Sequence, residues 1–550
     1  MNTMGKKDGL TEAIDSREKI PCEKGSSLLC CCICMVLLAV ALRHLCAGYL
    51  DNDFFHIAVS GRWIAANGIM YRNPFFVLDG YDTLIQQWIY ALVLWLSYDL
   101  GGFHGVFLFT LLQAVLLYFF AFWFFRLRNA ERRLAWIGAA LFLVGVPELN
   151  CRPEMISLIL FLAEMILLEQ YLKSSKVGYL YLLPFLSIAQ ANLHAAYLPF
   201  CFVLLLPYLV PADSIPVLKD GAKKLGIRCE SIRLRSMFLP AILMLLGGLV
   251  NPYGIEVYLI IPHSGSIRLL NIIEQQPMNI FGAGIAHIVI GFLLLGVALV
   301  CRRLRSVSAF FFAGFLLITL IAEKNVMLFM LALIMLYADL AERVDSGPVW
   351  QVFTIPVAWG RYLLLGCSLV ISVALIVIGG ACRVGQTPDG SYYLNEPLQR
   401  DLSDREIYPD AAIRYILQEE HSPERIKVLS SFNNGSTFLF YGIGHVFIEP
   451  KTEPYVKEIN HRSDVISEYC WLIQAADREG IRSFLNKYDF DYIVCTPAMR
   501  GLELYLQMSG DYCCVLESEA TWDTYLEKMG ESIPEYRLYR RNNRVRNTLL

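Results

Sequence analysis

Charged residues are scarce. Asp, Glu, Lys and Arg make up 18% of the 550 residues, where an ordinary soluble domain carries about 25%. Neither sign dominates: 47 Lys and Arg against 50 Asp and Glu leave a formal charge of -3. That balance argues against a nucleic-acid binder. A hydrophobic content of 56% excludes a disordered chain, a collagen-like fibre and a small disulfide scaffold. No nucleotide-binding glycine loop is visible, and the 9 histidines are scattered, with no i, i+4 metal pair.

What the chain does have is long apolar runs, ending near residue 381. A helix needs about 20 mostly apolar residues to cross the hydrocarbon core. Candidate spans are 28–48, 103–125, 134–150, 155–172, 178–194, 195–211, 237–251, 285–301, 307–322, 326–342 and 362–381, about eleven in all. The fold expected is thus a polytopic α-helical membrane domain over 28–381, preceded by a cytoplasmic tail, 1–27. Arg43 and His44 spoil a lipobox at Leu45-Cys46, so 28–48 reads as an uncleaved anchor.

Lys and Arg in short loops set the orientation. They collect at 1–27, at Arg126–Arg133, at Lys173 and Lys176, in 212–236, at Arg302–Arg305, and at Arg343 and Arg361. Placing these loops in the cytoplasm leaves 49–102 as a large outer loop. Its apolar stretch 85–99 then lies along the membrane surface, since fifteen helical residues reach only about 22 Å. Residues 382–550 follow outside, in a multi-pass protein of the plasma membrane.

This sidedness gathers polar residues on one face. Asp51, Asp53 and His56 follow the first span, with Arg62, Gln87 and Trp88 further along the same loop. Arg152 and Glu154 lie between spans three and four, Asn192 and His194 between five and six, Asn251, Tyr253 and Glu274 after seven, and Lys324 between nine and ten. Ionisable groups near lipid are costly and tend to be functional. Each motif also has a plain reading: Asp51 as a helix cap, Arg152-Pro153-Glu154 as a helix start, Asn251-Pro252-Tyr253-Gly254 as a turn, Lys324 as a snorkelling cation. Glu164, in mid-span with Glu169 beyond it, points instead towards transport.

The strings Asp51-Asn52-Asp53-Phe54-Phe55-His56, Gly61-Arg62-Trp63-Ile64, Asn73-Pro74-Phe75 and Gln87-Trp88-Ile89-Tyr90 resemble a bacterial group of multi-pass GT-C-type glycosyltransferases and related proteins. Arg152-Pro153-Glu154, Asn192-Leu193-His194, Asn251-Pro252-Tyr253-Gly254, Lys324-Asn325, Asn434-Gly435 and His445–Glu449 extend the resemblance. It implies a polyprenyl-phosphate sugar donor and a first-loop acidic motif at Asp51 and Asp53. Asp53 is then the preferred catalytic base, taking the acceptor's proton, with Asp51 supporting it. Arg152 and Lys324, backed by Arg62, Arg72 and His194, suit the leaving phosphate. Gln87, Trp88, Asn192 and Asn251 suit sugar hydroxyls, and Glu154, His56, Tyr253 and Glu274 complete the substrate-binding set. Direct displacement inverts the anomeric carbon. A divalent metal is possible at Asp51, Asp53 and His56, although no cofactor is certain. The partners are then a lipid-linked sugar, a glycan, lipid or protein acceptor, and the membrane, with no nucleic acid.

After a linker at 382–408, residues 409–550 alternate helical and strand patterns, as a small α/β domain does. Helices are expected at 409–420, 463–478 and 480–488, and strands at 426–430, 437–441, 446–448, 492–496, 512–517 and 536–540. This tail has no nucleophile elbow, P-loop or zinc-ligand spacing. Cys382, Cys470, Cys495, Cys513 and Cys514 fall where disulfides are permitted, with no pairing legible in their spacing. Two alternatives stand beside glycosyl transfer: a transporter or flippase of a lipid-linked or polar substrate, and a non-catalytic membrane assembly protein.

Overall fold

The computed structural model describes residues 8–48, 50–259, 275–279, 281–282, 284–342, 358–377, 384–386, 392–394, 408–519 and 533–542. The first part is helical: α1 (Asp8–Gly48), α2 (Asn52–Asn67), α3 (Trp88–Leu127), α4 (Arg132–Gly145), α5 (Glu154–Ser174), α6 (Leu183–Leu193) and α7 (Leu198–Leu209). It continues through α8 (Pro216–Leu225), α9 (Leu234–Gly247), α10 (Glu256–Leu259), α11 (Ile285–Val300), α12 (Ser306–Ile321), α13 (Val326–Ala341) and α14 (Ala358–Val377).

Among the described residues, four stretches are long and apolar enough to cross a bilayer: Leu28–Gly48, Trp88–Leu127, Glu154–Ser174 and Glu323–Ala341. This is a multi-pass membrane protein. Six further apolar helices are only 10–17 residues long, so helix length alone does not carry the expected count of about eleven.

The stretch 85–99 is helical from Trp88, and a kink at Gly101 and Gly102, both non-helical, divides this arm from the spanning part of α3 that follows. Gly102 sits at φ 57°, ψ −147°, a conformation that side chains disfavour. Beside this arm, α2 approaches so closely that a methyl at Gly61 would meet the Ala91 carbonyl oxygen at 2.0 Å.

Ion pairs tie the helices together at the end remote from α2. Arg305 Nη1 lies 2.9 Å from Glu169 Oε1, and Arg128 Nη2 lies 2.8 Å from Asp339 Oδ1. Tyr208 donates to Glu169 Oε1 at 3.1 Å, and the Arg305 backbone N–H donates to Asp339 Oδ2 at 2.9 Å. Buried charges persist only with such partners.

Two short strands, β1 (Val384–Gln386) and β2 (Tyr392–Leu394), pair within the stretch read as a linker. The C-terminal domain then holds α15 (Asp410–Glu419), β3 (Lys427–Leu429), α16 (Gly435–Phe440), β4 (His445–Val446), α17 (Lys457–Asn460), α18 (Val465–Gln474) and α19 (Arg478–Tyr488). Next come β5 (Tyr492–Cys495), α20 (Arg500–Ser509), β6 (Tyr512–Glu517) and β7 (Arg537–Arg541). The sheet order is β4-β3-β5-β7-β6, parallel across β4, β3 and β5 and antiparallel beyond. The strand expected at 437–441 is instead α16. All six of its residues, from Gly435 to Phe440, are buried, so its apolar run reflects burial on every side, which periodicity cannot distinguish from a strand. Cys495, Cys513 and Cys514 form no disulfide with another described residue, and Cys382 lies outside the described residues.

The first long loop is built into this domain. Phe76 bridges Val446 in parallel, and the Val446 N–H donates to Phe75 O at 2.8 Å, extending the sheet beyond β4. Phe76 packs edge-on against Tyr455 and Tyr488. Phe54 and Phe55 of α2 pack on Phe440 of α16. The loop and the C-terminal domain therefore share apolar cores.

Candidate functional site

The site begins where the chain turns from α1 into α2. Asp51 caps α2, its Oδ1 accepting from the Phe54 N–H at 3.2 Å. Its Oδ2 accepts from Asn150 Nδ2 at 3.2 Å and is paired with Arg152 Nε. Arg152 Nε also lies 3.1 Å from Asp53 Oδ2, and Nη1 lies 3.5 Å from Glu148 Oε2. Asn150 binds Glu148 Oε2 and the Arg152 backbone N–H, each at 3.2 Å, and Tyr90 donates to the Arg152 carbonyl at 3.1 Å. One guanidinium thus gathers carboxylates from the α2 start and the α4–α5 loop.

The two first-loop acids differ in environment. The Asp51 side chain is 9% exposed and that of Asp53 is 32%, so Asp53 is the carboxylate that an incoming molecule can meet. Burial pushes Asp51 up to about 6, while the positive charge of Arg152 pulls the other way. His56 is buried with Nδ1 3.8 Å from Asp53 Oδ1. Its imidazole is held down to about 3 by burial first, then by the charges of Lys451 and Arg152, so it is neutral at ordinary pH. Arg152 and Asp53 are also charged neighbours of Glu154, at the start of α5, whose Oε2 is buried without a hydrogen bond to another described residue.

A second wall comes from the α6–α7 turn. His194 Nδ1 lies 2.9 Å from Ser157 Oγ, Gln190 Nε2 donates to the His194 carbonyl at 2.7 Å, and the ring stacks on Tyr197. Lys324, on the turn Glu323–Asn325, is close enough for its charge to bear on His194. Trp88 Nε1 donates to Asn192 Oδ1 at 2.9 Å, and the Ala195 N–H donates to Gln86 O at 2.8 Å, joining this turn to the first loop.

The third wall is the segment 449–453 of the C-terminal domain. Gln86 Nε2 donates to Glu453 Oε1 at 2.5 Å, and Glu449, Lys451 and Glu453 are all buried. Burial raises the Glu449 carboxyl to about 7 and lowers the Lys451 ammonium. Glu453, also raised by burial, has Asp53 among its charged neighbours. Sequence reading missed these residues together with Glu148, Asn150, Tyr90 and Gln86. The visible signal was Glu-Pro-Lys-Thr-Glu directly after the apolar strand His445-Val446-Phe447-Ile448.

Other expected residues lie elsewhere. Arg62 donates to Leu439 O at 2.6 Å and Phe440 O at 2.9 Å, clamping α2 to α16. Asn251 folds its own turn, bonding Gly248 O at 2.8 Å and the Tyr253 N–H at 2.8 Å, and Tyr253 donates to Met70 O at 3.0 Å. Gln87 stands at the N-cap of α3 without a side-chain cap bond, and Arg72 is paired at 3.9 Å with Asp82. Glu274 lies outside the described residues. Glu169 belongs to the remote ion-pair group, while Glu164 is fully buried with Cys201 beside it. Among the described residues no three of His, Cys, Asp or Glu converge as metal ligands. Asp51 spends its oxygens on Arg152, Asn150 and the Phe54 N–H, so the donor set does not fit a metal.

Fold and site together define a multi-pass membrane protein whose C-terminal α/β domain closes over an acid–arginine cluster at the helix ends. No protein-family model matches the chain, and no curated protein matches it in sequence. Similar solved structures include the Archaeoglobus fulgidus oligosaccharyltransferase tethered with an acceptor peptide (TM-score 0.49, 10% identity, 88% of this chain and 72% of that one). Another is AglB from Archaeoglobus fulgidus in complex with an inhibitory peptide and a dolichol-phosphate (0.49, 10%, 87% and 72%). A third is ArnT from Cupriavidus metallidurans bound to undecaprenyl phosphate (0.44, 11%, 93% and 97%). These are likenesses of general layout, and what those chains bind is a property of theirs.

Proposed function

We propose that this protein is an integral-membrane glycosyltransferase. It moves a sugar from a polyprenyl-phosphate donor to an acceptor at the extracytoplasmic face of the plasma membrane, with inversion. The observation that carries the reading is Asp53: a partly exposed carboxylate beside a buried, guanidinium-held partner, at the ends of apolar helices. The acceptor oxygen attacks the anomeric carbon and gives its proton to Asp53, within hydrogen-bond reach. As the new C–O bond forms, the bond from that carbon to the phosphate oxygen breaks, and the lipid phosphate leaves with the electron pair. Asp51 and Arg152 hold Asp53 in place. Arg152 already faces three carboxylates, Asp51, Asp53 and Glu148, so positioning is its role. Lys324 stabilises the phosphate. His194, Trp88 and Asn192 line the sugar's side.

The charge distribution supports the sidedness: basic loops at the end holding Arg128 and Arg305, acids and amides at the other. Transport is the second reading, and Glu164 is the residue that favours it. Mass spectrometry of lipid-linked sugars and surface glycans in a deletion strain tests the proposal. A polyprenyl-phosphate sugar should accumulate while one glycan loses that sugar. Unchanged pools and glycans would sink it.

A further inference from the structure

Helix α8 (Pro216–Leu225) keeps apolar side chains in the open. Val217 is 81% exposed and Leu225 54%, and Ile215, just before the helix, is exposed as well. Val217, Gly221 and Leu225 follow one another along one line of the helix, at i, i+4 and i+8. Lys219 and Lys223, both exposed, form the opposite line, and exposed Lys224 stands beside the apolar one. Ala222 is buried and Leu218 half-buried, so a third line faces the rest of the protein. Apolar surface left in water is unfavourable, and the open line of α8 calls for a cover.

The chain on either side fixes the level of α8. It joins α7 to α9, both apolar helices. The Ile232 N–H donates to Tyr208 O at 2.7 Å, tying the start of α9 to the end of α7. The Arg228 N–H donates to Leu304 O and the Ser306 N–H to Arg228 O, each at 2.9 Å, which ties the returning chain to the start of α12. α8 is thus held beside the ends of three apolar helices, where lipid headgroups meet a membrane protein.

The charges select among lipids. Residues 212–236 hold six Lys and Arg against three Asp and Glu. Arg233 and Arg235 flank exposed Leu234 at the start of α9, which repeats the pairing of cations with an open apolar side chain. A helix is about 10 Å across, close to the Debye length of about 8 Å at physiological salt. The lysines on its far line therefore still feel an anionic surface beneath it. A basic polar face opposite an apolar one is the pattern of a helix lying in the headgroup layer.

We propose that α8 is an interfacial helix that docks on anionic phospholipids, with Val217 and Leu225 towards the acyl chains and Lys219, Lys223 and Lys224 holding the charged headgroups. Neither glycosyl transfer nor the leaflet that the loop meets enters this assignment.

The test places the full-length protein, one copy per nanodisc, in phosphatidylcholine alone or mixed with phosphatidylglycerol, and follows amide hydrogen exchange over residues 216–225. With phosphatidylglycerol, exchange in α8 should slow by about fivefold or more, since each basic residue near an anionic surface adds about fivefold to binding. High salt should remove the difference. Replacing the three lysines together (Lys219→Gln, Lys223→Gln, Lys224→Gln) should keep the phosphatidylcholine rate and abolish the response. Val217→Ser with Leu225→Ser should speed exchange in both lipids. Exchange in α8 that ignores phosphatidylglycerol overturns the proposal, as does a triple glutamine variant that still responds or a serine pair that exchanges like wild type. Slow exchange seen only in discs holding two copies assigns the face to self-association and overturns it too. A variant that fails to fold leaves the wild-type comparison decisive.

Discussion

Arg152 Nε lies 3.1 Å from Asp53 Oδ2 while also pairing with Asp51, so a single guanidinium fixes the spacing of two acids that sit two residues apart. The pair is asymmetric: Asp51 is locked by Asn150 and the α2 N-terminus, whereas Asp53 is partly open. Asp53→Asn should therefore lower the rate of sugar transfer by about 10²–10⁴-fold with little change in melting temperature. Asp51→Asn keeps a capping side chain but removes the buried countercharge, so it should lower the melting temperature as well. Full transfer activity in Asp53→Asn removes it as the base.

Arg152→Lys separates charge from shape. A lysine supplies the charge but cannot span both acids and Glu148 as a guanidinium does. Transfer should fall by at least about tenfold and thermal stability should drop, with Arg152→Ala worse on both counts, by about 3–5 kcal/mol in stability for a broken buried pair. Circular dichroism melts and transfer assays on the same preparations check this. Equal activity in the lysine variant means that charge alone matters.

How much of this could be read from residues alone depends on distance along the chain. Apolar length marked the membrane helices, and alternation marked a small α/β tail, because both are local signals. Asp51, Asp53 and Arg152 stood out as acids and a base at run ends, and they do meet. The closure by Glu449, Lys451 and Glu453 was not legible. It depends on Phe75 and Phe76 pairing with β4, a contact across some 370 residues that no periodicity encodes. Arg62 misled for the same reason: its partners are the carbonyls of α16, and a backbone acceptor leaves no mark in sequence.

Arg62 gives the third prediction. Its hydrogen bonds to Leu439 O and Phe440 O join α2 to the C-terminal domain, and bonds from a charged donor are worth about 1.5–3 kcal/mol. Arg62→Ala should loosen that contact. Amide hydrogen exchange should rise in Gly435–Tyr441 and in the first turns of α2, and remain unchanged at the Arg305–Glu169 end. Unchanged exchange in α16 excludes the clamp.

His56 sets a pH dependence with a definite sign. Its folded pKa is depressed to about 3 against about 6.5 unfolded. The unfolded chain therefore binds the extra proton between these values, and the stability linked to neutral His56 is present above pH 6.5 and lost as pH falls. Asp51 and Glu449, raised to about 6 and 7, act in the opposite sense, contributing at acid pH and losing that contribution as pH rises. Comparing wild type with His56→Gln isolates the histidine. The difference in unfolding free energy should shift against wild type by up to about 1.4 kcal/mol per pH unit below 6.5. A difference that does not vary with pH sinks this assignment.

The two glutamates of α5 should separate structure from transport. Glu169 is bound by Arg305 at 2.9 Å and Tyr208 at 3.1 Å, and Arg128 lies 3.6 Å away. Glu169→Gln leaves buried guanidinium groups short of a countercharge and should destabilise the protein by about 3–5 kcal/mol, seen as a lower melting temperature. Protein that remains folded should bind a polyprenyl phosphate as wild type does. Glu164 sits wholly inside the helix packing, with Cys201 beside it. Glu164→Gln preserves that shape, so melting and sugar transfer should both match wild type. Loss of function in Glu164→Gln with stability intact would give this carboxylate a working role that transfer at the Asp53 centre does not require, and the transport reading would replace the one proposed.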